Sequence, residues 1–289
     1  YVLDYTESFS KNVVDNFTEM YAQGLTPNPC VECNRSVKFD HFITQAKKLN
    51  CDKVATGHYA KIIKKNNEFE LHKADYLDKD QSYVLHMLKS SDLENISFPL
   101  GEISKPEVRQ IAARIGLKTA FKKDSQDICF VGKKDYRSFV EKRIDLTSPG
   151  EIFDIEGNKV GDHNGIHEFT VGQRKGLPGG YGTPRYVTKI NVQNKNVTIG
   201  EKKDLLVSSF IVEELSCVND LEYNNLTIQT RYNSEDLPCE IKKLSDTKVL
   251  VQLKEPAFGV APGQFGVIYN GTKVVCGGRI SPKVLENIG

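Results

Sequence analysis

At 289 residues, with hydrophobic residues at 39% and charged residues at 27%, the chain is too long for a minimal module and has the ordinary composition of a globular protein of two or three domains. A formal net charge of +1 excludes nucleic-acid binding by overall charge and leaves local basic patches as the route. No apolar run approaches the ~20 residues that span a bilayer and the amino end carries no secretory pattern, which gives a cytoplasmic reading with no membrane partner.

In chain order, the opening YVLDY reads as a buried strand already under way, so earlier βα units are expected upstream. Ser8 or Ser10 is the expected cap of a helix with Val13, Phe17, Met20 and Tyr21 on one face, ended by Gly24, Pro27 and Pro29. TPNPCVECNRSVKF then sets Cys30 and Cys33 behind a double proline turn, just before a second helix with Phe39, Phe42, Ile43, Ala46 and Leu49 at helical spacing. DKVATGHY is a short apolar strand that stops at Gly57-His58. Strand, helix, loop, helix, strand and glycine is the rhythm of a doubly wound α/β sheet, whose ligands bind at the carboxyl ends of strands, so His58 points toward a site.

YAKIIKKNNEFELHKA predicts a hairpin turning at Asn66-Asn67. SKPEVRQIAARIG predicts a helix with a capping box from Ser104 to Glu107, an apolar face of Val108, Ile111, Ala112 and Ile115, and Gly116 as the stop. From about Pro149 the texture changes to short β-like runs between Gly, Asn and Asp, and Asn270-Gly271 between alternating apolar runs is a strong hairpin signal. The second half is expected to be all β, a small domain followed by a barrel.

Seven cysteines, odd in number and thinly scattered, argue against a disulfide scaffold. Structural zinc takes four ligands, and the single CxxC supplies two. Cys51, Cys217, Cys239 and Cys276 read as small core residues. Cys129 follows the polar run Asp124, Ser125, Gln126 and Asp127. It is either a core-strand cysteine or a solvent-reachable thiol beside a turn, able to meet the Cys30/Cys33 loop.

The pieces TPNPCVECNRSVKF, ATGHYAKI, DKDQSYVLHML, FPLGEISKPEVRQIA, KDSQDICFVG, HEFTVGQRKGL and VAPGQFGVIYNG, in this order over nearly the whole chain, resemble the tRNA-specific 2-thiouridylases. These enzymes place sulfur on C2 of the wobble uridine of tRNA. One piece alone, such as TGHY, is weak; seven in order are specific. The resemblance implies an α/β plus β fold. Residues 1–142 would form a Rossmann-like ATP-pyrophosphatase (PP-loop) catalytic domain truncated at its start, 143–205 a small central β-rich tRNA-binding domain, and 206–289 a C-terminal β-barrel. The family's SGGVDSS-like loop around the ATP phosphates has no counterpart here and is read as missing from this piece.

Carried over residue by residue, the resemblance implies Cys33 as the catalytic thiol and Cys129 as the carrier of a persulfide received from a sulfur-relay or cysteine desulfurase partner. Cys30 stands where some members have an Asp suggested as an acid/base group, and either takes that role or is a bystander. Gly57 would lie against ATP, His58 would approach the tRNA, and the Asn28-Pro29-Cys30 corner would face the target base. Lys79, Asp80, Gln81, Arg231, Tyr232 and Gln264 would contact the tRNA, with Lys-, Glu- and Gln-type tRNAs as substrates.

The C2 oxygen of uridine is a poor leaving group, so the implied reaction adenylates it with ATP and Mg²⁺ before sulfur arrives. A persulfide supplies that sulfur as an anion. Attack by Cys33 on the inner sulfur then leaves a Cys33–Cys129 disulfide for a reductant to open. Arg174, Lys175 and Arg185 in GQRKGLPGGYGTPR form a basic glycine loop suited to RNA phosphates, with a solvated surface loop as the plain alternative. Lys64-Lys65 and Lys122-Lys123 read as solvated faces. Two rival readings stand beside this one: a [4Fe–4S] cluster on Cys30, Cys33 and Cys129 with one open iron that binds sulfide, and a non-catalytic RNA-binding protein built on the β domains.

Overall fold

The computed structural model of the chain describes residues 1–122, 128–132, 135–144, 148–218 and 224–282. Lys123, Asp124, Ser125, Gln126 and Asp127 therefore lie outside the described residues. The opening YVLDY is not a buried strand: Tyr1 and Val2 are fully exposed and no strand forms there. Extended chain needs a paired neighbour to be stable, and among the described strands none lies beside it.

The first helix runs through Thr6–Phe9, a π-helical stretch Ser10–Asp15 and Asn16–Ala22. Val13, Phe17, Met20 and Tyr21 are all buried. The start is held by Asp4, whose Oδ1 accepts from the Thr6 amide at 2.9 Å. Ser8 and Ser10 are not caps. Ser8 lies within the helix, where its hydroxyl meets Asn12 and His41. The stop comes at Gly24 in the left-handed region (φ 65°), with the Leu25 amide reaching back to the Met20 carbonyl, the closing pattern of a glycine-terminated helix.

The second helix begins earlier than its pattern predicts, at Pro29, so Cys30 and Cys33 lie inside it. It comprises Pro29–Glu32, a π-helical stretch Cys33–Phe39 and Asp40–Lys48. Phe39 and Ile43 are buried, whereas Phe42 and Leu49 are 39% and 41% exposed. Phe39, Ile43 and Ala46 pack on the core, whereas Phe42 lies at the side of that stripe against Tyr5 and Leu49 ends the last turn, so the covered face is narrower than its pattern.

Strand β1 (Val54–Ala55) is followed by the hairpin β2 (Ala60–Lys65) and β3 (Glu68–Lys73), and then by β4 (Ile96–Ser97), which pairs parallel with β1. The hairpin turns at Asn66-Asn67, both at positive φ. The helix Lys105–Arg114 is capped by Ser104, whose hydroxyl accepts from the Glu107 amide. Its expected apolar face is only half covered, and Ile115 is 66% exposed.

Four strands, β5 (Gly150–Phe153), β6 (Lys159–His163), β7 (Tyr186–Asn191) and β8 (Asn196–Gly200), form a sheet in the order β6-β5-β8-β7 over Ile152, Phe169, Val187, Val197 and Ile199. Then follow β9 (Leu206–Cys217), β10 (Leu226–Gln229), β11 (Leu237–Ser245), β12 (Lys248–Phe258), β13 (Phe265–Asn270) and β14 (Lys273–Ile280). Pairing of β13 with β14 closes these six into a barrel, which removes the free edges an open sheet would expose. Its lumen holds Phe210, Val212, Ile228, Val249, Val251 and Ile268. Gly271 at φ 58° turns the β13–β14 hairpin. Strand β14 also pairs with β3 through Lys273 and His72, which ties the barrel to the α/β part.

Cys239 and Cys276 are buried in the barrel and Cys217 is half-buried. Cys51 is not a core residue. It is exposed at the turn that follows the second helix, its thiol against the Leu49 carbonyl.

Candidate active site

The corner before the cysteines is shaped by its own residues. Asn28 leaves the helical region (φ −121°, ψ 89°) and its Oδ1 accepts from the Val31 amide at 3.4 Å. Pro29 takes the first helical position, where no amide hydrogen is needed. Asn28 is thus a helix cap. The barrel grips the same corner: the Thr26 amide donates to the Pro262 carbonyl at 2.9 Å, and Gln264 Nε2 donates to the Pro27 carbonyl at 3.5 Å.

On the helix so started, Cys30 is exposed and Cys33 half-buried. Cys129 sits on an exposed turn at 128–132. That turn is anchored by its neighbour Phe130, whose ring packs edge-on against Phe9 and Phe17 of the first helix at 5.6 and 5.3 Å. The charge of each of the other two sulfurs is felt at Cys33, and that of Cys129 at Cys30. Crowding by surrounding atoms raises the Cys30 and Cys33 thiols above their ordinary value, Cys129 raises both further, and Lys38 opposes the rise at both. Among the described residues these thiols do not form a cluster with single-ion ligand spacing.

Gly57 lies exposed at the end of β1, and a Cβ built on it would meet only Leu100 Cδ1, at 3.6 Å. Its backbone is open to a ligand. His58 is buried, its Nδ1 is 2.8 Å from Thr56 Oγ1, and its ring is flanked by Phe39 and Phe98. Burial first, and then Lys38, bring its pKa down to about 4. The side chain is neutral and inward.

The other predicted contacts divide. Asp80 is buried, accepting from the Ala74 amide at 2.8 Å and from Ser82 Oγ at 2.6 Å. It stabilises its own turn. Gln81 is engaged with Tyr59, accepting from its amide at 3.0 Å. Lys79 closes the short helical turn Leu77–Lys79. Tyr232 is 41% exposed on the rim of a cavity of ≈ 350 Å³ lined also by Lys73, Asp78, Asp80 and Asp236. Arg231 is half-buried beside Gly172 and Gly259, donating to the Val171 carbonyl at 3.4 Å. The basic loop forms a concavity of ≈ 410 Å³ edged by Arg174 and Arg185. Arg185 lies over the Tyr181 ring at 4.7 Å and pairs with Glu201.

Some residues at the site carried no signal in the sequence pattern. Glu32, between the cysteines, is buried and bridges Arg35 at 2.5 Å and Arg279 of β14 at 3.0 Å. The charged residue inside CVEC was the available hint. Glu141, His167 and Glu168 also gather their ligand atoms within 4.8 Å, His167 Nε2 lying 3.1 Å from Glu141.

The chain matches models of three domains described as a tRNA methyl transferase HUP domain over residues 1–133, a tRNA methyl transferase PRC-barrel domain over 137–201 and an aminomethyltransferase beta-barrel domain over 207–280. It is 42% identical to the tRNA-specific 2-thiouridylase MnmA of Rickettsia prowazekii (strain Madrid E), covering 98% of this chain and 81% of that protein. It is also 42% identical to the tRNA-specific 2-thiouridylase MnmA of Chloroflexus aurantiacus (strain ATCC 29366 / DSM 635 / J-10-fl), covering 97% and 80%. With identity of this level along essentially its whole length, the chain belongs to the tRNA-specific 2-thiouridylase family.

Proposed function

We propose that this chain transfers sulfur to C2 of the wobble uridine of tRNA, with Cys129 as the carrier of the persulfide and Cys33 as the thiol that releases it. The observation that carries this reading is that Cys129, exposed on a turn packed through Phe130 against the first helix, lies near enough for its charge to act on the half-buried Cys33 thiol of the capped helix. ATP with Mg²⁺ supplies the adenylyl group that makes the C2 oxygen a leaving group, and the open backbone at Gly57 fits such a ligand at the carboxyl end of a parallel strand.

The terminal sulfur of the Cys129 persulfide forms the bond to C2, and AMP departs with the former C2 oxygen. The Cys33 thiolate attacks the Cys129 sulfur, the sulfur–sulfur bond of the persulfide breaks, and its electron pair stays with the transferred sulfur. The product is a Cys33–Cys129 disulfide, which an external thiol reduces. A sulfur-relay or desulfurase protein loads Cys129, whose exposure suits a protein donor. Arg231, Tyr232, Gln264 and the Arg174–Arg185 loop are the proposed tRNA contacts, and Asn28 to Cys30 the wall beside the flipped base.

The test is peptide mass mapping of the full-length protein after a desulfurase donor and thiol blocking without reductant. One extra sulfur on the Cys129 peptide is expected, converting to a Cys33–Cys129 crosslink when ATP and tRNA are added. Cys129→Ser should abolish thiolation with tRNA binding intact; thiolation that survives this change would remove Cys129 from the reaction.

A further inference from the structure

Lys38 stands five residues after Cys33 on the π-helical stretch Cys33–Phe39. On an α-helix five residues carry a side chain about 140° round the axis, to the far side. In a π-helix the hydrogen-bonded step is itself five residues. It is seen here in the Asp40 amide donating to the Arg35 carbonyl. The unusual backbone therefore brings Lys38 back toward the side of Cys33, next to a thiol that a regular helix would have kept away from it.

Among the described residues, the charged and titratable groups facing Cys33 come from three elements. Cys30 lies on the preceding helical turn, Cys129 on the 128–132 turn, and Lys38 on the π stretch itself. Lys38 also acts on His58 at the end of β1. Among the described residues it is the one cation whose charge is felt at Cys30, Cys33 and His58 alike. Arg35, the other cation on the stretch, is committed to Glu32. Lys38 is half-buried and forms no ion pair with a described residue. A lysine beside crowded thiols has one electrostatic consequence: it favours the anionic form of each sulfur.

We propose that Lys38 is the positioning cation of the sulfur-transfer site, brought round by the π stretch to the side of Cys33, where it favours anionic sulfur over the neutral form that the surroundings promote. This rests on the reading of Cys33 as the working thiol. Both nucleophilic events of that scheme start from anionic sulfur, so one fixed cation serves the attacking thiolate and the departing sulfide in turn. Burial first, with Lys38 adding to it, keeps His58 neutral, so no second cation stands at that place.

The experiment follows carbamidomethylation of Cys33 against pH, resolved by peptide mass mapping, without tRNA or ATP. Wild type, Lys38→Met and Lys38→Arg are compared. The Met variant is expected to move the Cys33 profile up by roughly half to one pH unit, a loss of about three- to tenfold in rate near pH 8. The Arg variant should restore it. In the unaltered protein, salt near 1 M should move the profile in the same direction by screening Lys38. A Lys38→Met profile that coincides with wild type in a folded protein overturns the proposal, and so does a wild-type profile indifferent to salt. If the profile moves as expected while tRNA thiolation by Lys38→Met is undiminished, the coupling stands and the reading of Cys33 as the working thiol fails.

Discussion

At the scale of single residues, Cys30 and Cys33 are three apart on one helix and so project to neighbouring places on it, yet one is exposed and the other half-buried. Cys33→Ser is expected to lower multiple-turnover thiolation on the order of 10³-fold while a persulfide still loads on Cys129, as read by mass mapping; retained turnover would release Cys33 from its role. Cys30→Ala should keep most of the activity, since the disulfide needs only the other two sulfurs, and a collapse to the Cys33→Ser level would give Cys30 a part in the chemistry. The buried histidines make a separate prediction. His58 and His86 are each lowered from 6.5 to about 4, burial being the first cause for both. For His58, Lys38 adds to it, and for His86 the bond to the Tyr83 carbonyl opposes it. The unfolded chain therefore takes up protons first as pH falls. Stability contributed by the neutral rings is complete above about 6.5 and is lost progressively as pH falls toward about 4. Urea midpoints at pH 7 and pH 5 should differ, and His58→Gln should make the fall shallower; an unaltered slope would mean that His58 is already protonated in the fold.

At the scale of elements, what could be read in advance was what depends on near neighbours. Val13, Phe17, Met20 and Tyr21 were found on one face because helical spacing is a local property, and the Asn66-Asn67 and Asn270-Gly271 hairpins because turn residues are chosen for their own backbone angles. The π stretches at Ser10–Asp15 and Cys33–Phe39 were not legible, since an added residue per turn leaves no mark in apolar spacing and only displaces the count beyond it. Phe42 and Leu49 were misplaced on the regular helix beyond the stretch, because helical spacing alone does not tell how wide a stripe the core covers. The loop against the cysteine corner gives a test at this scale. Gly263 has φ +90°, and a Cβ there would come within 2.8 Å of the Thr26 amide nitrogen and of Leu25 Cβ. Gly271 has φ +58° with nothing within 4 Å. Gly271→Ala should therefore cost only the backbone strain, about 1 kcal/mol. Gly263→Ala should cost about 2–3 kcal/mol and lower thiolation too, because the side chain separates the barrel loop from Thr26. Equal urea midpoints for the two variants would show that this loop yields without disturbing the corner.

At the scale of the whole molecule, the barrel braces the helix that presents the thiols. Arg279 on β14 donates to Glu32 Oε1 at 3.0 Å and to the Gly263 carbonyl at 3.3 Å, and its guanidinium lies over the Phe265 ring at 4.9 Å. Glu32 and Arg279 are 247 residues apart in sequence and both are buried. No local pattern can announce such a pair, which is why the strands of the barrel were legible and its contact with the cysteine helix was not. A buried ion pair adds little net stability when whole, and loss of one partner costs about 3–5 kcal/mol where it strands a charge; Glu32 keeps Arg35, which brings the cost of losing Arg279 below that range. Arg279→Met should show that cost in urea unfolding and should slow thiolation, because the helix carrying Cys30 and Cys33 loses its fixed bearing on the barrel. Glu32→Gln removes the buried charge that Arg35 alone then offsets, while keeping a hydrogen-bonding side chain, so the double variant should be more stable than Arg279→Met alone. Losses that simply add across the cycle would show the two residues to be uncoupled, and the barrel would then be a tRNA-binding appendage with no hand in setting the thiols.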